Sequence, residues 1–305
     1  MKRAIIDLGT NTFNLLIGEF DNGHLNRLRT EKEAVLLGMN GINHGTIAEE
    51  AWLRGLQSLL RFKAHCVEEG VTDIVGFGTS ALRSAKNGDL FVQEVKEQTG
   101  IQIEIISGET ESKLIYQGVR LLYDFQKPGM IMDIGGGSTE FILADSSGVQ
   151  TASSFDVGVS RLYQELGKNN NLTVQNYKFL EGYFDARLSG FFDANRSETL
   201  IGASGSFETF YEMIYQKHFL SHNSIESLPF EALMEKIDWV IDSRYEDRMN
   251  NEWSIPMRKQ MLPIAAYKIK WVIKDGHQKC LSLSLFAEGR RVFGVKEDRG
   301  FFYSV

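Results

Sequence analysis

Cysteine is nearly missing from this 305-residue chain, which holds only Cys66 and Cys280. They stand far apart with no CxxC or CxH spacing, so neither a zinc site nor a disulfide framework is indicated. Both read as small buried hydrophobes. Long apolar runs are missing as well. The N-terminal stretch MKRAIIDLGTNTFNLLIG begins with positive charge, but Asp7 and Asn11 interrupt it. It therefore reads as neither a signal peptide nor a membrane span, and a cytoplasmic protein without a membrane partner is expected. Positive charge is in deficit: 33 Lys and Arg against 40 Asp and Glu give a formal net charge of −7. Proteins that coat phosphate backbones carry a basic surface, so duplex nucleic acid finds no support as a partner. A small phosphorylated ligand stays open, given a local electropositive site of glycine amides, a few cations and a metal ion. The histidines show no metal spacing, and His218 and His222, four apart, lack a nearby acidic third ligand.

What is present is enough hydrophobic sequence, 43%, for a substantial core, and a length that suggests two domains. One stretch is repeated. AIIDLGTNTFNLLIG (4–18) aligns with MIMDIGGGSTEFILA (130–144) at a constant offset of 126 residues, placing Asp7 on Asp133, Gly9 on Gly135 and Asn11 on Gly137. Each copy is an apolar run, a small-residue turn, a second apolar run and a second turn, which predicts a β-hairpin written twice. EKEAVLLG (31–38) and SSFDVGVSRL (153–162) are expected to supply the third strand of each copy.

Between the copies, strands and helices alternate in the α/β manner. Residues 47–69 predict a helix burying Trp52, Leu56, Leu59, Leu60 and Cys66, ended by Gly70. Strands are expected over 72–79 and 101–107, with a helix closing at Gly100 between them. Ser107 suits an N-cap for a further helix with Glu109 and Glu111 in its first turn and Leu114, Ile115, Gly118, Leu121 and Leu122 buried. Lys127-Pro128-Gly129 then breaks the chain, which sets the expected domains at 1–127 and 128–305, the C-terminal segment packing back on the first.

A strand–Asp–Gly–turn–strand hairpin points successive backbone N–H groups into a concavity that suits phosphate oxygens. Glycine matters there because a Cβ would obstruct the approach. The adjacent aspartate repels a bare phosphate, so it makes sense with a divalent cation, Mg²⁺, between them. A single copy reads as a capped tight turn; two copies with the aspartate kept in both favour function. Acidic residues in a helix's first turn also stabilise the helix dipole, so Glu109 and Glu111 have a structural reading beside any chemical one.

The chain resembles the exopolyphosphatase/guanosine pentaphosphate phosphohydrolase family of the actin-like and sugar-kinase ATPase superfamily. The resemblance rests on IDLGTNTF (6–13), TSALRSAKN (79–87), ISGETESKLIYQGV (106–119), DIGGGSTEF (133–141), DVGVSRL (156–162) and GASGSFET (202–209), with SLFAEGRR (284–291) as a weaker tail match. It implies duplicated actin-like (ribonuclease H-like) α/β domains flanking a cleft where water cleaves a terminal phosphoanhydride of polyphosphate or pppGpp. By the same resemblance, Asp7, Gly9, Thr10 and Asn11 form the first phosphate loop, and Gly135, Gly136, Gly137 and Ser138 the second. Asp133, with Asp7, would hold the metal. Glu111 falls on the proposed catalytic base, and Glu140 on a second acidic residue tied to activity. Arg83 would hold phosphate oxygens. Gly202, Ala203, Ser204 and Gly205 match the superfamily's adenosine-side motif, which here either holds a nucleotide or closes the cleft. A homodimer and the short, two-domain form of the family are also implied.

The chain departs from the family in two places. Thr110 stands where a second glutamate is common, which leaves the choice between Glu109 and Glu111 open, and the usual Arg-Ala-Asp element is missing around 261–269. Lys259, Lys268, Lys270, Lys274 and Lys279, with Arg258, read as a solvated basic face, the alternative being a polyanion track. A phosphotransferase of the same superfamily and a catalytically silent alarmone sensor are the competing functional readings.

Overall fold

The structure is a computed structural model and describes residues 2–21, 24–219, 226–253, 256–274, 282–285, 294–296 and 301–303. The chain divides into two compact units, Met1–Glu111 with Val292–Val305 and Ser112–Arg291. Among the described residues, no helix is long and apolar enough to cross a membrane.

In the first unit the predicted hairpin is β1 (Lys2–Leu8) and β2 (Thr12–Asp21), joined by β3 (His24–Ala34). α1 (Glu49–Glu68) then crosses to β4 (Ile74–Gly78), and α2 (Ser80–Arg83) and α3 (Gly88–Thr99) lead to β5 (Gln102–Ile105). α4 (Gly108–Val119) follows, with its first turn in this unit. The sheet order is β3-β2-β1-β4-β5, with β1, β4 and β5 parallel and the hairpin strands antiparallel. Helix ends follow local chemistry: Gly70 and Gly100 adopt φ of +69° and +74°, and the Ser107 hydroxyl accepts from the Thr110 amide at 3.1 Å as an N-cap. The inward residues of β1 and β2 meet α1 and α3 in a core that includes Ile6, Leu8, Phe13, Leu15, Phe62 and Phe91. Burying each such side chain contributes roughly 1.5–3 kcal/mol.

The second unit repeats the plan: β6 (Gly129–Ile134), β7 (Thr139–Asp145) and β8 (Gly148–Phe155), then α5 (Val159–Glu165), α6 (Val174–Ala194) and β9 (Thr199–Gly202). α7 (Gly205–Tyr215), β10 (Glu226–Leu228), α8 (Phe230–Asp242), α9 (Tyr245–Asn250), α10 (Pro256–Lys274) and β11 (Ser282–Leu285) complete it. Its sheet runs β10-β11-β9-β6-β7-β8, with β6, β9 and β11 parallel. Phe141, Phe191, Phe192 and Trp271 stack edge-on or tilted, with ring centroids 5.0–6.0 Å apart along the cluster. β12 (Gly294–Lys296) and β13 (Phe301–Tyr303) pair antiparallel.

Several expectations need correction. The third strands begin earlier than read: β3 ends at Ala34 and β8 at Phe155, and the segments after them turn back instead of extending. Leu60 is 42% and Leu121 63% exposed, because Ala51, Phe62 and Cys66 define the buried face of α1 and because α4 ends at Val119. The basic C-terminal stretch is a solvated face only in part, with Lys274 exposed. Lys268 and Lys259 are buried, the latter donating to the Met249 carbonyl at 2.8 Å, while Lys270 pairs with Asp238 and Arg258 with Glu208. Cys280, His222, Lys279 and the tail match beyond Leu285 lie outside the described residues.

Candidate active site

In parallel α/β sheets, ligand-binding groups gather at the carboxyl ends of the strands, where loops leave for the next helix. In the first unit Leu8, Gly78 and Ile105 are register partners at those ends of β1, β4 and β5. Loop 9–11 follows the first strand, α2 with Arg83 the second, and α4 with Glu111 the third. The Thr79 amide donates to the Leu8 carbonyl at 3.3 Å, which seats α2 beside the loop. Arg83 Nη1 donates to Glu111 Oε2 at 3.0 Å and to the Ile106 carbonyl at 2.9 Å. The guanidinium thereby fixes one oxygen of a mostly buried carboxylate, whereas Glu109, two residues earlier, is exposed.

Both glycine loops are shaped by a backing segment that follows the third strand. In the first unit, the Gly38 amide donates to the Thr10 carbonyl at 3.0 Å and the Leu36 amide to the Asn11 carbonyl at 2.9 Å. Leu36 takes φ +53°, a left-handed conformation that turns the chain back under the loop. In the second unit, the amides of Val159, Ser160 and Arg161, at the N-terminus of α5, donate to the carbonyls of Gly135 and Gly136 at 2.8–3.2 Å, and the Gly158 amide donates to that of Gly137 at 3.2 Å. No cis peptide occurs among the described residues. In a trans peptide the C=O and N–H point in opposite directions. With the carbonyls of 135, 136 and 137 turned toward α5, the amides of Gly136, Gly137 and Ser138 face the other side together. Those of Asn11 and Thr12 do the same in the first loop. This is the amide nest expected of the hairpin turn.

Glycine is required by the loops' own backbone. A Cβ at Gly9 would lie 2.9 Å from the Thr12 carbonyl oxygen, and one at Gly135 3.0 Å from that of Ser138. Gly158 is more constrained, since its Cβ would fall 2.3 Å from Gly136 O and from Gly137 C. The sequence reading did not single it out, although the small residue between Val157 and Val159 was the available signal.

The aspartates stand at the ends of β1 and β6, and their cross-strand partners differ. Asp7, 2% exposed, faces Asn14, whose Nδ2 donates to Asp7 Oδ2 at 2.9 Å. Asp133 faces Glu140, both nearly buried, so two carboxylates sit directly opposite one another. Like charges so placed repel. Glu140 Oε1 accepts from the Ser154 hydroxyl at 2.7 Å, and its charge also acts on the buried Lys268. Burial pushes the Lys268 ammonium down to about 7, partly countered by Glu140. The sequence reading missed Lys268 at this site, because it comes from a helix more than a hundred residues away.

The Gly202–Gly205 segment leaves β9 beside Asp133: Met132 and Gly202 are register partners, and the Ala203 amide donates to the Met132 carbonyl at 3.0 Å. Ser204 leads into α7, and its Oγ is buried without a hydrogen-bond partner among the described residues. Gly202 has a packing reason of its own, since a Cβ there would lie 2.3 Å from the Phe207 ring. Thr10 and Ser138 are buried within their loops.

Comparison with known proteins agrees with these features. The Ppx/GppA phosphatase family matches residues 16–289. The guanosine-5'-triphosphate,3'-diphosphate pyrophosphatase of Vibrio vulnificus is 27% identical over 237 residues, covering 76% of this chain and 48% of that protein. The enzyme of the same name from Aliivibrio fischeri is 29% identical over 221 residues, covering 69% and 43%. The chain thus spans about half the length of the curated relatives it matches. Among solved structures, an exopolyphosphatase from Cytophaga hutchinsonii superposes with a TM-score of 0.89 at 30% identity, over 95% of this chain and 96% of that one. An Aquifex aeolicus member of the family shares the fold with a TM-score of 0.77 at 22% identity. The chain belongs to the Ppx/GppA phosphatase family.

Proposed function

We propose that this protein is a hydrolase that releases the terminal phosphate of inorganic polyphosphate or of pppGpp by in-line attack of water. The observation that carries this reading is the row of three amides, Gly136 to Ser138, turned to one side next to Asp133 and Glu140. An amide row alone suits any anion. The flanking carboxylates select one that arrives with a cation. The names of the relatives, a guanosine pentaphosphate pyrophosphatase and an exopolyphosphatase, supply both substrates as the natural choices.

The donor set fits Mg²⁺. Two carboxylates face each other across β6 and β7, and among the described residues no cluster of three or more His, Cys, Asp or Glu offers a closed cage. Mg²⁺ is held in this way, by one or two carboxylates with waters and substrate oxygens completing the shell. Asp133 is the residue of the second unit that would hold it, and Asp7 occupies the equivalent place on the first loop. When bound it would neutralise charge on the phosphate oxygens and lower the electrostatic cost of bringing a polyanion to acidic residues.

The chain's own residues supply the rest. The loop amides donate to the phosphate oxygens and are already oriented, so no reorganisation accompanies the development of charge. Glu111 accepts a proton from the attacking water, or orients it. Pairing with Arg83 and partial burial favour Glu111 over the exposed Glu109 for this role. Arg83, as Glu111's partner, orders the base besides any contact with phosphate.

Purified protein with Mg²⁺ should release phosphate from tripolyphosphate or pppGpp, and Glu111→Gln should lose that release by roughly a hundredfold or more with an unchanged circular dichroism spectrum. Near wild-type turnover by the variant would remove Glu111 from the mechanism. Release from ATP only with a small-molecule acceptor, or ligand binding without turnover, would replace the hydrolase with a phosphotransferase or a sensor.

A further inference from the structure

Few side chains are as constrained as Lys268. It is fully buried on α10, its Nζ donates to Thr139 Oγ1 at 2.7 Å and to the Val157 carbonyl, and the Phe184 ring centroid lies 5.8 Å away. Its two partners flank the second glycine loop. Thr139 directly follows Ser138, at the start of β7, and precedes Glu140. Val157 directly precedes Gly158, the first of the four residues whose amides hold the loop carbonyls. One side chain thus joins the strand that leaves the loop to the turn that backs it.

We propose that Lys268 is a positioning residue for the second phosphate loop, clamping β7 to the 157–161 turn so that the amides of Gly136, Gly137 and Ser138 stay turned toward substrate and Glu140 keeps its place opposite Asp133. The role rests on the phosphate-binding reading of that loop. The energetics require a return of this kind. A buried ammonium is expensive unless its N–H groups are satisfied, and a methionine of similar length would fill the same apolar space without the cost. Thr139 and Val157 accept two of the three N–H groups, and Glu140 supplies opposite charge. The arrangement is therefore costly as packing and informative as a clamp.

The test is backbone amide exchange at Gly158, Val159, Ser160 and Arg161 in the wild type and in Lys268→Met, Thr139→Val and Thr139→Ser. Loss of the clamp should speed exchange at these amides by roughly tenfold or more in Lys268→Met and Thr139→Val, with α1 unchanged as an internal reference. Thr139→Ser keeps the hydroxyl and should exchange like the wild type. On tripolyphosphate with Mg²⁺, the two affected variants should lose kcat by about tenfold or more while KM stays within about twofold, as expected when a transition-state contact is misplaced. Wild-type exchange rates in both variants, or a loss confined to KM, overturn the proposal. If Lys268→Met fails to fold, the Thr139→Val and Thr139→Ser pair decides. If the wild type releases no phosphate at all, the hydrolase reading falls by itself, and the exchange comparison still decides the clamp.

Discussion

Asp7 and Asp133 occupy equivalent places, and the residue across the hairpin decides what each can do. Asn14 donates to Asp7, so that carboxylate faces a neutral hydrogen-bond donor and no second charge across the hairpin. Glu140 cannot donate to Asp133 when ionised, and the pair therefore concentrates negative charge where a metal would sit. Exchanging the partner should move this property between loops. Asn14→Asp removes a part-buried hydrogen bond and sets two carboxylates face to face, which should cost about 1–3 kcal/mol in urea unfolding at neutral pH. The loss should shrink as pH falls and one carboxyl takes up a proton. A variant as stable as the wild type at neutral pH would show that the hairpin end tolerates paired charge without help. The Asp–Gly turns and the Asn14/Glu140 difference were legible in the sequence because they are local, fixed by position in a repeated hairpin. Arg83 with Glu111 and Lys268 with Thr139 were not, since 28 and 129 residues separate the partners and no periodicity records which helix returns to which strand.

At the scale of elements, the strands and long helices followed from apolar periodicity, and the backing segments did not. Residues 35–38 and 156–158 look like continuations of a strand, but the amides of Leu36, Gly38 and Gly158 donate to the glycine loops, and that demand turns the chain. α10 misled in the opposite way. Ile264, Ala265, Ala266, Ile269, Trp271, Val272 and Ile273 are all buried, so much of the helix surface is apolar, and Lys268 lies within that buried part while Lys274 at the end is exposed. The backing of the second loop makes Gly158 a sharp test. An added Cβ meets backbone atoms of Gly136 and Gly137 at 2.3–2.4 Å, which no rotamer change relieves. Gly158→Ala should push the loop off the α5 amides and lower phosphate release by roughly a hundredfold. Its secondary structure by circular dichroism should be retained, because the clash is confined to the turn. Full activity in this variant would mean that the loop's amide row is not what holds the phosphate.

For the molecule as a whole, the buried lysine leaves a signature in how stability varies with pH. Its folded value of about 7 lies below the ordinary 10.5, because burial disfavours the charged form by more than Glu140 restores. Between those two pH values the unfolded chain binds a proton that the folded chain does not, so stability rises with pH across that window. Below about 7 both states carry the proton and the contribution is level, leaving the folded protein with the full cost of a buried ammonium. Each unit of depression corresponds to about 1.4 kcal/mol, so the rise should be on the order of a few kcal/mol between pH 7 and 10. Other groups titrate in the same range, and the difference between wild type and Lys268→Met isolates this one. Urea midpoints at pH 7 and pH 9.5 should therefore move upward in the wild type relative to the variant. Parallel profiles would mean that the folded protein does not charge Lys268 differently from the unfolded chain. The sign also separates this lysine from an ordinary paired one: an ion pair that raised its value would make the protein less stable, not more, as pH climbs through the alkaline range.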